Sequence, residues 1–227
     1  MTGQKQTVKH YLEYWLEVYG PHLRLNTRRL YRQLLDIHIL PVFGHVTLWN
    51  LSPQQIDELY ALRLKDGYAV ETVRAIHRML HKALQDAVKW RLLAANPCNN
   101  VNQPHPVKHE IHPLTKEQAL QLLEAAQGDR FEALLTLVVA TGMRRGELLA
   151  LRWADIDFQE GSLWVRRTIN RVGKHGLVES DPKTESSKRK ILLPRFVLNA
   201  LLQHRVWQVE VRAKAGEAWQ ERDLVFS

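Results

Sequence analysis

The sequence predicts a mainly α-helical protein with a small antiparallel β-sheet, an α+β fold in two domains. Apolar residues recur at helical spacing through the first hundred residues and again over 114–152. From Leu163 to Ile169 the pattern has a period of two residues, with Leu163, Val165 and Ile169 at alternating positions, which is typical of a strand. The segment 96–113 has four prolines and no apolar period. We therefore expect a helical domain at 1–95, a linker at 96–113 and a second domain at 114–227.

Four helices are predicted in the first domain. Apolar residues at i, i+3, i+4 and i+7 define the first over Val8–Tyr19, and a longer stripe defines the fourth over about Glu71–Leu93. Thr27 is the expected N-cap of the second, which should stop before Pro41 because proline disfavours the α conformation in the preceding residue. Ser52, with proline and glutamine following, predicts a capped start for the third.

The second domain begins with a capping box at Thr115 and then carries a nearly all-apolar segment, Phe131–Ala140, expected as a buried helix. Thr141-Gly142 interrupts this segment, and a short helix should follow from Arg144 to about Arg152. The remaining predicted elements are a strand over 163–169, short strands near 177–180 and 190–193 in one sheet, and a helix over 195–214.

Composition narrows the classes of function. The chain has 32 basic and 24 acidic residues, a net charge of +8, and the excess falls in both domains. A polyanion such as DNA is the natural partner, with a plain solvated basic surface as the alternative. No apolar stretch is long enough for a membrane span, and the start of the chain has no apolar signal region. The single cysteine, Cys98, excludes an internal disulfide and indicates a reducing, cytoplasmic compartment.

Two segments carry candidate chemistry. At the break after Gly142, the Arg144 guanidinium beside a helix start suits a phosphate oxygen, and Glu147 is positioned to hold it by an ion pair. The second segment runs from Asp181 to Pro194 and places Lys183 near a hairpin tip, from which a lysine can protonate a leaving oxygen. The competing interpretations are an arginine on an ordinary surface helix and a solvated basic hairpin.

The remaining candidates are weaker. Arg28, Arg29 and Arg32 fit a DNA-facing side of the second helix or a plain solvated face. His77 and His81 at i, i+4 are a possible metal pair, but no third ligand is evident and no metal site is expected. Tryptophans and linker histidines are interpreted as packing and linker residues: Trp15, Trp90, Trp153, His105, His109 and His112.

Considered together, TGMRRGELLALRWADID and PKTESSKRKILLP resemble the tyrosine recombinases of the phage-integrase type. The N-terminal half agrees: TVKHYLEYWLEVY, Thr27-x-x-x-Tyr31, the run His38 to Gly44, and Asn96-Pro97 are similar to the family's helical core-binding, SAM-like domain. Residues 114–227 then correspond to the N-terminal part of the family's catalytic domain. The resemblance covers nearly the whole chain.

The resemblance implies site-specific DNA recombination or integration through a phosphotyrosyl intermediate, without a metal or nucleotide cofactor. Arg144 matches the arginine that binds the scissile phosphate, Lys183 the hairpin lysine, and Glu147 an acidic position that supports the arginine. Arg145 is expected to flank the site. Implied partners are double-stranded DNA and other integrase protomers in a synaptic complex, with no membrane. Expected DNA contacts are Thr27, Arg28, Arg29, Tyr31, Arg32, Lys188 and Arg189.

Part of the family pattern is missing. No tyrosine follows Tyr68, and none of the eleven histidines begins a His-x-x-Arg motif. We therefore expect a C-terminally shortened integrase that binds DNA but does not cleave it alone, because it has no nucleophile. Two alternatives stay open: a non-enzymatic DNA-binding regulator or competitor of an intact integrase, and a non-functional remnant that folds poorly.

Overall fold

The computed structural model describes residues 6–106, 110–171, 176–180 and 187–226. The chain divides into two compact units, Met1–Glu110 and Ile111–Ser227, each with its own apolar core. The division lies inside the segment predicted as a linker, and the exact domain limits stay a prediction. Among the described residues, no helix has the length and apolar character needed to cross a membrane.

The first unit is a bundle of helices. Thr7 caps the first helix. Ser52 caps the helix predicted as the third, which is the fourth in the structure, and forms the predicted capping box: the Gln55 side chain accepts a hydrogen bond from the Ser52 N–H. Such local hydrogen bonds fix helix starts wherever the cap residue stands. The helices are α1 Val8–Tyr19, α2 Leu25–Leu34, α3 Leu40–Phe43, α4 Pro53–Lys65 and α5 Val70–Lys89.

The prediction for the second helix is wrong at its start. It begins at Leu25 after Arg24, so Thr27 lies within the first turn rather than at the cap. Helix α2 ends at Leu34, before Pro41 as predicted, but the chain stays helical because a π-helical turn over Leu35–Ile39 leads directly into α3. Pro41 then occupies the first turn of α3, where a missing N–H costs no helical hydrogen bond.

The first part of the segment predicted as a linker packs onto the first unit. Cys98 is 2% exposed within the core of the first unit, and the short 3₁₀ turn Pro97–Asn100 packs against α4 and α5. The Asn96 side chain donates to the carbonyl of His81 at 3.0 Å and accepts from the Cys98 N–H at 3.0 Å. These specific bonds attach a segment without apolar periodicity, which is why periodicity did not reveal it.

The second unit combines helices with two small antiparallel sheets. Within the described residues, one sheet has the order β1 (Ile156–Asp157), β2 (Ser162–Val165) and β5 (Arg189–Leu192), and the other pairs β3 (Thr168–Arg171) with β4 (Leu177–Ser180). Its core includes Leu137, Leu163 and Leu201, all fully buried. The elements are α6 Lys116–Ala125, α7 Glu132–Thr141, α8 Arg145–Leu149, β1 Ile156–Asp157, β2 Ser162–Val165, β3 Thr168–Arg171, β4 Leu177–Ser180, β5 Arg189–Leu192 and α9 Arg195–Ala215.

Three details of the second unit differ from expectation. The single strand predicted over 163–169 is two strands in different sheets, because Arg166 and Arg167 leave the first sheet and both pair with buried Asp155. The three strands therefore do not form one sheet. Helix α7 is buried on one side only, and Val139 is 40% exposed.

The last described residues close the core of the second unit. Val225 is fully buried, its N–H donates to the carbonyl of Leu151 at 2.9 Å, and its carbonyl bonds His204 Nε2 at 2.8 Å. Gln208 on α9 donates to the carbonyls of Leu224 and Val225 and accepts from the Trp153 indole at 2.7 Å. The segment Leu224–Phe226 is therefore part of the packed core of the second unit.

Candidate functional site

The backbone break after α7 places Arg144 at the surface. Gly142 ends the helix in the left-handed conformation, with φ 62°, and its N–H bonds the Val138 carbonyl. Met143 then turns into the core, 3% exposed, so the next side chain points outward. The Arg144 side chain is 75% exposed and belongs to the extended residue immediately before α8.

Glu147 is the buried centre of the site, only 4% exposed. Its Oε1 accepts from Arg144 Nη1 at 3.0 Å and from Arg189 Nη1 at 3.4 Å. Its Oε2 accepts from the Arg144 N–H at 3.1 Å and from Arg189 Nη2 at 2.9 Å. The four bonds occupy both carboxylate oxygens and hold the backbone N–H and one guanidinium nitrogen of Arg144, whose side chain stays 75% exposed.

The pKa of Glu147 is held below its ordinary value of 4.5. Burial alone raises that pKa, but the hydrogen bonds from Arg189 and then Arg144, with the positive charge of Arg189, outweigh burial. Glu147 is therefore ionised at neutral pH. Arg144, Arg189 and Glu147 together carry two positive charges and one negative charge. The group therefore has a net charge of +1, and Arg144 is its most exposed member.

Close packing of α8 on β3 holds this group in place. A Cβ built on Gly146 would lie 2.8 Å from the carbonyl oxygen of Ile169 and closer still to the Thr168 hydroxyl. Only glycine permits this approach. Helix α8 has only five residues, so the predicted contribution of a helix N-terminus to phosphate binding is not supported.

A second ionic network supports the β3–β4 hairpin. Arg167 donates to buried Asp155 at 2.8 Å and pairs with Glu179 on β4 at 3.1 Å. Arg152 donates to the other Glu179 oxygen at 2.9 Å. Sequence reasoning missed these residues and the pairing of Arg189 with Glu147, since the partners lie up to 42 residues apart. The one local signal was Asp155 at three residues after Arg152, a capping-box spacing.

The sequence-predicted residues on α2 fall into two groups. Arg28, Arg29 and Arg32 are exposed, and Arg32 makes only a loose ion pair with Asp36 at 3.9 Å. These three guanidinium groups remain available to a polyanion. Thr27 is half-buried within the same helix.

Tyr31 is drawn into packing rather than presented to solvent. Its ring stacks on fully buried Trp15, with centroids 5.9 Å apart, and Trp15 stacks on Tyr19 at 5.1 Å. Burial raises the pKa of Tyr31, and neighbouring Tyr19 adds to the effect. Tyr31 therefore anchors α2 through this stack, and its contact with DNA stays a prediction.

The basic segment after β4 is described in part. Lys183 lies outside the described residues. Lys188 is exposed. Arg189, predicted as a DNA contact, instead directs both Nη atoms at Glu147 and is 32% exposed.

The candidate metal pair binds neighbouring side chains. His77 Nδ1 lies 3.0 Å from the Tyr60 hydroxyl, and His81 Nε2 lies 3.0 Å from Asn99 Oδ1. Burial lowers the pKa of His77. In the described part of the chain, no group of three histidine, cysteine, aspartate or glutamate side chains is arranged to hold a metal.

Acid stability tests the ionisation of Glu147. Because its folded-state pKa is depressed, the stability it contributes is complete above about pH 4.5 and is lost as the pH falls further. At pH values below 4.5, we expect the urea concentration at the unfolding midpoint of the second unit to decrease with falling pH. The decrease should be less steep in Glu147→Gln. Glu124→Gln, at an exposed position on α6, is the control. Parallel pH curves for the wild type and Glu147→Gln would contradict the assigned ionisation.

Comparison with known proteins shows which family this chain belongs to. Residues 7–61 match the family described as "Phage integrase, N-terminal SAM-like domain", and residues 112–209 match the "Phage integrase family". The second match includes Arg144, Glu147 and Arg189. The chain belongs to the phage integrase family of tyrosine recombinases. The resemblance drawn from the sequence motifs is thereby confirmed, as is the fold class.

Curated relatives of this integrase-family chain include two at about one-third identity. The "Tyrosine recombinase XerC-like" protein of Caldanaerobacter subterraneus subsp. tengcongensis is 33% identical over 190 residues, which are 76% of this chain and 49% of the relative. The "Putative prophage phiRv2 integrase" of Mycobacterium tuberculosis is 32% identical, over 86% of this chain and 50% of the relative. The chain spans about half the length of these relatives.

Solved integrase structures share the fold. The Tn1549 transposon integrase in complex with transposon right end DNA superposes with a TM-score of 0.83 at 21% identity, over 98% of this chain and 71% of that one. A lambda integrase tetramer bound to a Holliday junction gives a TM-score of 0.60 at 19% identity, over 78% of this chain and 51% of that one.

Proposed function

We propose that this integrase-family chain binds double-stranded DNA at a recombination site, with Arg144 contacting a backbone phosphate. The observation that carries the proposal is the arrangement of Arg144 itself. Its guanidinium is held through Nη1 by buried, ionised Glu147, and the side chain as a whole is 75% exposed. A planar guanidinium that is already oriented binds a phosphate through paired N–H groups with little loss of side-chain freedom.

Further observations support the choice of DNA. The net charge of +8 favours a polyanion, and Arg28, Arg29 and Arg32 add exposed cations in the first unit. Relatives with the same fold include integrases solved in complex with DNA. On this proposal the chain acts in the cytoplasm, where it meets DNA and other integrase protomers in a synaptic complex.

We expect this 227-residue polypeptide not to cleave DNA by itself. In the family implied by the motifs, a tyrosine in the catalytic domain attacks the phosphodiester. All six tyrosines of this sequence lie at or before position 68, and none lies in the second unit. Arg144 stabilises a phosphate but cannot replace the nucleophile. Lys183 keeps its predicted role as the proton donor to a leaving oxygen only when a nucleophile is supplied.

A salt titration and an adduct assay test these statements together. Binding of a fluorescent 30-base-pair duplex, followed by anisotropy, should weaken with log K falling by roughly 0.9 per phosphate contact per log unit of salt. A nicked duplex incubated with the protein should give no covalent protein–DNA adduct in a denaturing gel. Affinity that ignores salt would contradict the DNA proposal, and a covalent adduct would contradict the absence of cleavage.

A second candidate function is that of a non-enzymatic DNA-binding regulator or competitor of an intact integrase. That function predicts inhibition of strand exchange when this polypeptide is added to a complete integrase and its site. Stimulation of strand exchange would instead support participation in the synaptic complex.

A further inference from the structure

Arg189 is the member of the Glu147 group that the sequence analysis expected to contact DNA and that the structure pairs with a carboxylate. It lies on β5, 42 residues after Glu147, and its two Nη atoms reach the two carboxylate oxygens at 3.4 and 2.9 Å. Its Nη1 also donates to the Ser187 carbonyl at 3.3 Å. The guanidinium is therefore oriented by three bonds towards the protein rather than towards solvent.

We propose that Arg189 is a positioning residue. It compensates the negative charge of Glu147, so that the positive charge of Arg144 is left to attract a phosphate. The proposal rests on the function proposed above. With Arg189 present, the group has two positive charges and one negative charge. Without it, Arg144 and Glu147 cancel, and the buried carboxylate takes Arg144 as its remaining charged partner.

The geometry explains why one arginine on Glu147 is insufficient. The carboxylate is 4% exposed, and a buried charge requires partners for both oxygens. Arg144 supplies one side-chain bond and one backbone bond, which leaves a bonding position on each oxygen. Arg189 fills both, so Arg144 need not fold its second Nη group onto Glu147.

A direct DNA contact by Arg189 is the alternative, and a double-mutant cycle separates the two. We expect Arg189→Gln to weaken binding of the 30-base-pair duplex by about 10-fold, a typical coupling for residues that share a partner. In an Arg144→Gln background, the same change should have a much smaller effect, because Arg189 acts mainly through Arg144. Equal effects in both backgrounds would overturn the proposal and restore Arg189 as an independent DNA contact.

Charge rescue gives a readout that loss of structure alone would not produce. The double variant Glu147→Gln with Arg189→Gln restores the net charge of +1 and should recover part of the lost affinity, although it also loses the carboxylate that holds Arg144. Arg189→Lys, which keeps the charge but not the two-pronged geometry, should lie between wild type and Arg189→Gln. A double variant that binds no better than Arg189→Gln would overturn the proposal.

Folding and function are checked separately. Circular dichroism and urea unfolding of each variant identify any that fail to fold, and Arg189→Lys with the double variant keeps the test informative if Arg189→Gln is unstable. A wild-type protein that does not bind the duplex would overturn the proposed function and this inference with it. Salt-dependent wild-type binding with additive variant effects would overturn the inference alone.

Discussion

Gly146→Ala is expected to destabilise the second unit by roughly 1–3 kcal/mol, the usual cost of forcing atoms into a packed interior. The new Cβ would lie 2.8 Å from the Ile169 carbonyl oxygen, which belongs to the backbone of β3 and cannot move without shifting the hairpin. Helix α8 must shift instead, and Glu147 shifts with it. Urea unfolding followed by circular dichroism measures the loss.

Gly20→Ala is the matched control for this change. A Cβ there would meet the side chain of Arg28, with the nearest atom, Nε, at 3.0 Å. That flexible side chain can move at little cost, so we expect a much smaller effect on unfolding. Equal stability of Gly146→Ala and wild type would show that α8 does not depend on this close approach.

Trp15→Ala is expected to cost the first unit about 3–5 kcal/mol, as for other large aromatic side chains removed from a core. Trp15 is fully buried, stacks on Tyr19 and Tyr31, and donates its indole N–H to Asp86 at 2.9 Å. Because Tyr31 anchors α2 through this stack, the exposed arginines of α2 should lose their fixed positions as well.

Two variants define the size of the Trp15 effect. Trp49 is 57% exposed, so Trp49→Ala should stay within about 0.5 kcal/mol of wild type, as most surface changes do. Trp15→Phe keeps a ring but loses the bond to Asp86, and its cost should fall between the two. A Trp15→Ala protein as stable as Trp49→Ala would contradict the assignment of Trp15 as the centre of the α1–α2 packing.

Those elements of the fold that depend on hydrogen bonds between residues close in sequence could be predicted from the sequence. Ser52 and Thr115 define helix starts through bonds to residues three positions away, and both capping boxes are present. The π-helical turn at Leu35–Ile39 has no such local signature. It brings Leu35 and Ile39 both into the core, and that depends on the helices packed around them.

The same distinction applies to the site. Arg144 and Glu147 are three residues apart, and their pairing follows from spacing on a helix start. Arg189 reaches Glu147 only because β5 is placed beside α8 by the tertiary fold, so sequence reasoning assigned it to DNA. The break between β2 and β3 likewise depends on Asp155, which lies before both strands and attracts Arg166 and Arg167.

The contact between Arg144 and a DNA phosphate is tested most directly by the salt dependence of binding in two neighbouring variants. Arg144→Gln removes the guanidinium fixed by Glu147, and Arg145→Gln removes an exposed guanidinium one residue later. We expect Arg144→Gln to reduce the slope of log K against log salt by about 0.9, equivalent to one phosphate contact, and Arg145→Gln to leave it nearly unchanged. An unchanged slope in Arg144→Gln, or an equal reduction in Arg145→Gln, would contradict the assignment of Arg144 as the phosphate-binding residue.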